Sequence, residues 1–269
     1  MALRAVQSFG TSIDRYEYKY RVPPGTLADV RRRIRAVCEP DPKSRGGSYH
    51  VATLYFDSPR RVLYRQGIDK AWKRLKLRVR RYASSPYFLE VKRRQKRLVL
   101  KSRVAIEPQW WPGILTDPTL VHRCGLSALD RERVEFFIGW YVRVHAAPVV
   151  VVRYRREAYV SRLDRYARVT IDTVLEARPA LGYDIPITSG AGWIPLDDPA
   201  TCGLPVSGAI LELKSTTDVP IWMTDLARDL GLSARGFSKF ARGLEAVEQF
   251  PARPFGGDLT PRPGRWKRW

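Results

Sequence analysis

Leu75-Lys76-Leu77-Arg78-Val79-Arg80 alternates apolar and cationic side chains at a period of two. As a strand it carries Leu75, Leu77 and Val79 on one face and Lys76, Arg78 and Arg80 on the other. The pattern continues downstream. Between Tyr87 and Lys92, Tyr87, Leu89 and Val91 oppose Phe88, Glu90 and Lys92, and in the next run Leu98, Leu100 and Val104 oppose Lys101 and Arg103. Residues 70–103 hold 14 Lys or Arg against a single acid, Glu90. A solvated basic arm would show no such alternation, so three charged-face strands are predicted here.

The same reading extends to both ends of the chain. Arg15-Tyr16-Glu17-Tyr18-Lys19-Tyr20-Arg21 opposes charges to tyrosines, and Ile210-Leu211-Glu212-Leu213-Lys214 repeats the alternation in shorter form. With Val51–Asp57, Val152–Arg156 and Arg168–Asp172, these make seven candidate strands or more. Three of them carry Glu-x-Lys (Glu17/Lys19, Glu90/Lys92, Glu212/Lys214), where random placement would give about 0.5. The strand period sets each Glu on the same face as its Lys. Helices are predicted over Pro23–Val37, where Leu27, Val30, Ile34 and Val37 form one stripe, over Leu126–Val144, and over Pro220–Val247 with a Gly-containing break. Pro179–Pro205 reads as loop. Residues 1–249 read as one domain and 250–269, rich in Pro and Gly, as a disordered tail.

Composition narrows the function classes. The 269 residues carry 48 Lys and Arg against 27 Asp and Glu, a net charge of +21, with a pI near 10.3. Such an excess calls for an anionic partner: nucleic acid, anionic lipid or polyphosphate. The longest apolar run, Ala146 to Val152, is far short of the roughly 20 residues of a membrane span. No export signal is legible at the N-terminus, so the expected location is the cytoplasm, including the inner face of the membrane. Cys38, Cys124 and Cys202 have no metal-site spacing and are expected to be reduced thiols.

A charged sheet face is usually solvated, but seven such strands argue for a barrel. The helices need an apolar sheet surface, so the apolar face is predicted outside, under the helices, and the charged face inside. Burying so many cations is costly, and three glutamates cannot neutralise them. Triphosphate or longer polyphosphate supplies the missing charge and accepts bidentate arginine bonds. The glutamates would hold a divalent metal between phosphate oxygens, with oxygen-only ligands favouring Mg2+ or Mn2+.

Arg15-Tyr16-Glu17-Tyr18-Lys19, Leu54-Tyr55-Phe56-Asp57, Lys76-Leu77-Arg78-Val79-Arg80, Glu90-Val91-Lys92, Lys101-Ser102-Arg103, Arg156-Glu157-Ala158, Arg168-Val169-Thr170-Ile171-Asp172, Glu212-Leu213-Lys214 and Phe237-Ser238-Lys239-Phe240 occur in this order. Together they resemble the VTC domain, the polyphosphate polymerase module of the vacuolar transporter chaperone complex. That domain lies within the triphosphate tunnel metalloenzyme (CYTH-like) superfamily. The resemblance implies an α+β fold, a closed antiparallel eight-stranded β-barrel with helices packed outside. It also implies a metal-dependent phosphotransferase that moves the ATP γ-phosphate onto a growing polyphosphate chain and releases ADP. Residue by residue, it implies that Lys19, Arg78, Arg80, Lys92, Arg156, Arg168 and Lys214 clamp phosphates. Lys101, Arg103, Tyr154, Ser238 and Lys239 would line the tunnel, and Glu212, with Glu90 and Glu17, would bind metal. Arg15 stands where the hydrolase-type ExExK signature has its first Glu, which favours synthesis over hydrolysis. The SPX domain and membrane helices of the eukaryotic complex are not in this chain, so phosphate sensing or transport would come from a partner in trans, including a membrane protein.

Two rival classes stand beside this: a tripolyphosphatase or organic-triphosphate hydrolase on the same tunnel, and a non-catalytic polyanion-binding module. Nucleic acid is not expected, because aromatics and cations lie on opposite strand faces. Among single residues, Lys76 and Arg81 are predicted to be solvated rim charges. Arg156 rather than Arg153 and Arg155 is predicted to face inward, and Tyr16, Tyr18 and Tyr20 to pack under helices.

Overall fold

The computed structural model describes residues 16–249 apart from 45–46, 84–85, 97, 118, 165, 189, 199–207, 217 and 235. Arg15, Cys202 and the tail expected to be disordered lie outside the described residues. Ten strands form one antiparallel sheet: β1 (Tyr16–Val22), β2 (Cys38–Pro40), β3 (Tyr49–Asp57), β4 (Lys73–Tyr82), β5 (Tyr87–Gln95), β6 (Leu98–Ile106), β7 (Ala147–Ser161), β8 (Arg168–Pro179), β9 (Ile194–Pro195) and β10 (Ala209–Ser215). Eight of them follow one another in the order β1-β10-β8-β7-β3-β4-β5-β6, while β2 pairs with β7 and β9 with β8. Register shifts at Tyr55/Phe56 and Arg153/Arg155 bend the long central strands, as bulges do.

The barrel predicted as closed is instead a curled sheet. Its edge strands β1 and β6 share no ladder among the described residues. An ion pair nevertheless links β1 to β5, the neighbour of edge strand β6, with Lys92 Nζ 3.8 Å from Glu17.

The convex face carries the apolar set, as the alternation requires. Leu75, Leu77, Val79, Leu89, Val91 and Val104 join one buried cluster with Val134 and Phe137 of the helix Ala128–Arg143. Helix α1 (Leu27–Val37) follows a 3-10 turn at Pro24–Thr26 and covers the other half of the sheet. There Val30 and Ile34 pack with Val169, Ile171, Leu211 and Leu213. Both α1 residues are fully buried, each worth about 1.5–3 kcal/mol. The tyrosines of β1 divide. Tyr20 is buried in this cluster, whereas Tyr16 and Tyr18 are 44% and 37% exposed, so the helix-packing role expected of all three holds for Tyr20 alone.

One helix departs from the expectation that all helices lie outside. Pro220–Val247 resolves into two helices, Ile221–Asp229 and Lys239–Gln249. The second packs on the concave face and plugs one end of the groove. There the inward positions are Tyr55, Val150 and Val152 rather than charges, so the groove offers an apolar seat. Phe240 stacks on Tyr55 with ring centroids 5.0 Å apart. Gly243 permits the close approach: a Cβ there would sit 2.6 Å from Val152 Cγ2.

Candidate active site

Cross-strand register brings the charged faces together. Arg78 stands opposite Glu90, Glu90 opposite Arg103, Lys92 opposite Lys101, Lys19 opposite Glu212, and Arg156 opposite Asp172. Paired residues share a face, so Lys19, Arg78, Arg80, Lys92, Lys101, Arg103, Arg156, Arg168 and Lys214 all project onto the concave side. The plug helix adds Lys239 at its first turn.

Three carboxylate centres organise these cations. Glu90, 1% exposed, receives Arg78 at 2.6 Å, Arg103 at 3.5 Å and Arg80 at 3.6 Å. Burial opposes its ionisation, but the guanidiniums of Arg78 and Arg80, with Lys101 and Arg103, outweigh that and hold it far below the usual carboxylate range. Arg80 Nε is buried with no hydrogen-bond partner among the described residues, a spare donor on the groove wall.

At the second centre Glu212 contacts Lys19 at 3.2 Å and Lys214 at 2.5 Å, while Lys19 also reaches Glu17 at 3.0 Å. Burial works against the charge on Lys19, but Glu212 and Glu17 raise its pKa above the ordinary lysine value. Glu212 is held well below the usual range: burial raises it, and Lys214, a hydrogen bond with Glu17 and Lys19 override that.

The third centre is Asp172, fully buried. It accepts a bidentate pair from Arg156 at 2.6 and 2.8 Å, and Lys239 Nζ lies 2.6 Å from the same carboxylate. Its pKa is held down to about 2, burial being outweighed by Arg156 and Lys239. Tyr154 is buried beneath them, with Arg156 5.1 Å and Lys239 4.7 Å from its ring centroid. Arg153 turns away to Glu176 and Trp193, so the inward choice of Arg156 agrees with the geometry.

Not every predicted site residue joins a cluster. Arg168 sits at the rim with a side chain 64% exposed and a 4.0 Å contact to Asp41. Lys101 makes no ion pair within 4.0 Å among the described residues and faces the groove beside Arg103. Ser238 caps the plug helix through Ala241 N and accepts a bond from Lys76 Nζ at 3.1 Å.

Two groups were missed by sequence reasoning. Lys76, predicted as a solvated rim charge, lies inside the groove among Lys19, Arg78, Lys92 and Arg74. Burial foremost, and then those cations, push its pKa down to about 7. Its unbroken alternation with Arg78 and Arg80 was the available signal. Asp172 alternates with Arg168 and Thr170, which placed it on the right face but did not reveal its two cationic partners. Arg81 turns to the outer side, but it is half-buried rather than solvated, lying over the Tyr87 ring at 5.3 Å and donating to Ile185 O at 3.3 Å.

The three glutamates expected to hold one metal do not converge. Glu90 is enclosed by arginines, and no group of three or more His, Cys, Asp or Glu side chains suited to a metal occurs among the described residues. Glu17 and Glu212 do form a carboxylate pair. Magnesium-type ions are commonly held by one or two carboxylates, the remaining ligands being water and substrate phosphates, so this donor set fits a hard divalent cation.

The VTC domain family matches the chain over residues 14–248. No match to a curated protein was found. Among solved structures, the PH1819 protein of Pyrococcus horikoshii OT3 is 14% identical with a TM-score of 0.44, over 86% of this chain and 99% of that one. A Hippeastrum protein, HpAC1, whose structure is described with a dominant triphosphatase activity, is 16% identical with a TM-score of 0.42, over 85% of this chain and 94% of that one. No helix among the described residues is long and apolar enough to cross a membrane.

Proposed function

This chain belongs to the VTC domain family, and from that membership we propose that it is a polyphosphate polymerase, transferring the γ-phosphate of ATP to the end of an inorganic polyphosphate chain. The observation that carries the reading is the charge of the groove. Four carboxylates, Glu17, Glu90, Asp172 and Glu212, are set among more than twice as many inward lysines and arginines, and Arg80 Nε is left without a partner. A partly buried excess of this kind is stabilised by a polyanion with charges spaced along its length.

Arg78, Arg80 and Arg103 grip phosphate oxygens by fork geometry, and Lys19, Lys92, Lys214 and Lys239 supply single-point contacts further along the groove. Held in line, the terminal oxygen of the chain attacks the γ-phosphorus, the β–γ bridging bond breaks, and ADP leaves. The groove contributes positioning and stabilisation of charge spread over the transferred group. Glu17 and Glu212 would hold Mn2+ or Mg2+, which supplies further neutralisation of phosphate charge when bound. Ser238 and Lys239, at the plug, mark the closed end of the phosphate path.

The test is incubation of the purified protein with ATP, manganese and a pyrophosphate or short polyphosphate primer. Products are followed by gel and phosphorus NMR. A lengthening ladder with matching ADP supports the polymerase. Orthophosphate without a ladder gives the hydrolase, and tight polyphosphate binding without turnover gives a binding module or a subunit that needs a partner.

A further inference from the structure

The concave face is not lined by charge alone. Phe88 stands opposite Arg80 on β4 and opposite Ala105 on β6, so its ring projects into the groove with them. It is half-buried and belongs to neither apolar cluster. The ring meets the core only at its margin, through Tyr82. The guanidinium of Arg103 lies 4.0 Å from its ring centroid. Tyr82 abuts it nearly edge-on, with centroids 5.6 Å apart and planes at 77°, and Tyr49 follows at 5.8 Å from Tyr82. On β6 the residue paired with it is Ala105, whose small side chain is exposed.

We propose that Phe88, Arg103 and Ala105 form the seat for the base of a nucleoside triphosphate, whose phosphates run from Arg80 toward Lys92. This rests on the triphosphate reading above and assigns the end of the groove at which the nucleotide donor is recognised. From Phe88 to Lys92 the strand spans four residues, about 13 Å, enough for a ribose and three phosphates. Aromatic rings and arginine planes stack on any base, because every base presents a π-face. The seat therefore separates a nucleotide from an inorganic chain rather than one base from another.

Calorimetric titration with two probes tests this: the β,γ-imido analogue of ATP, and inorganic tripolyphosphate, which has no base. Phe88→Ala should weaken the analogue about 10-fold while tripolyphosphate affinity stays unchanged. Ala105→Leu, which sets a bulky side chain beside the ring and keeps the ring itself, should produce the same split, and Phe88→Tyr should restore analogue binding. If Phe88→Ala and Ala105→Leu leave analogue affinity intact, or weaken both probes equally, the base seat is overturned while the phosphate groove stands. If tripolyphosphate fails to bind the unmodified protein, the groove reading falls, and the base seat with it.

Discussion

The arginines around Glu90 and the lysines around Glu17 and Glu212 occupy the same concave face but hold charge in different ways. On one side Arg78, Arg80 and Arg103 converge on a carboxylate that is 1% exposed, and Arg80 retains an unused donor. Guanidinium is planar and permanently charged, so this wall is a fixed grip. On the other side Glu17, Lys19, Glu212 and Lys214 form a ladder of single contacts, with Lys214 and Glu17 side chains 36% and 32% exposed. Each contact there can be exchanged singly for a phosphate oxygen or a divalent ion. Under the proposed reading, the arginine wall would hold the phosphates and the lysine–glutamate ladder would exchange ligands.

The comparison is broken most directly at Glu212. Glu212→Gln should lower metal-dependent turnover by about 1,000-fold while tripolyphosphate binding persists, as calorimetry beside the product ladder would register. Undiminished turnover would remove the distinction between the two walls. The arginine wall is tested by Arg78→Ala with Arg80→Ala, for which tripolyphosphate affinity should fall about 100-fold. A loss smaller than threefold would show that the grip lies elsewhere.

Asp172 belongs to neither wall and is the buried counter-charge of Arg156 and Lys239. Asp172→Asn leaves Arg156 and Lys239 without their buried counter-charge and should cost about 2–3 kcal/mol in urea unfolding. In the unmodified protein its folded pKa, about 2, lies below the unfolded carboxylate value near 3.9. Its contribution is thus fully present above about pH 4 and is lost as pH falls through about 2.

The smallest effect sharpens the boundary between the walls. Lys76 has a folded pKa near 7 against an unfolded value of 10.5, so the unfolded chain binds more protons between those limits and the empty protein gains stability as pH rises through them. A bound polyanion favours the charged amine, so binding takes up a proton in the same window and affinity falls by a few fold from pH 7 to pH 9. Titrations at pH 8 in buffers of different ionisation enthalpy should show this uptake, and Lys76→Met should reduce it.

Strict alternation made much of this legible in advance. Leu75 to Arg80 and Ile210 to Lys214 placed their charges on the correct face because a period of two admits only two assignments. Closure was not legible, since whether the last two edges pair is a long-range property that no strand's own alternation encodes. The plug was missed because Lys239–Gln249 reads as an ordinary amphipathic helix, and nothing local says which surface of the sheet will receive it. Gly243 acquires its meaning only against Val152. Lys76 and Asp172 were missed for a related reason: their character comes from partners more than a hundred residues away (Ser238) or on another strand and helix (Arg156, Lys239), which no window of sequence contains.

The gap between β1 and β6 bears on how a polymer is handled. A sealed tube must be threaded from a free end, which ties an enzyme to its chain until synthesis stops. A groove with a seam admits a chain sideways, at any point along its length, and lets it go the same way. The ion pair between Glu17 of β1 and Lys92 of β5 lies beside that edge. Exposed pairs of this kind weaken as ionic strength rises, so under the proposed polymerase reading salt would shift the balance from processive extension toward frequent release.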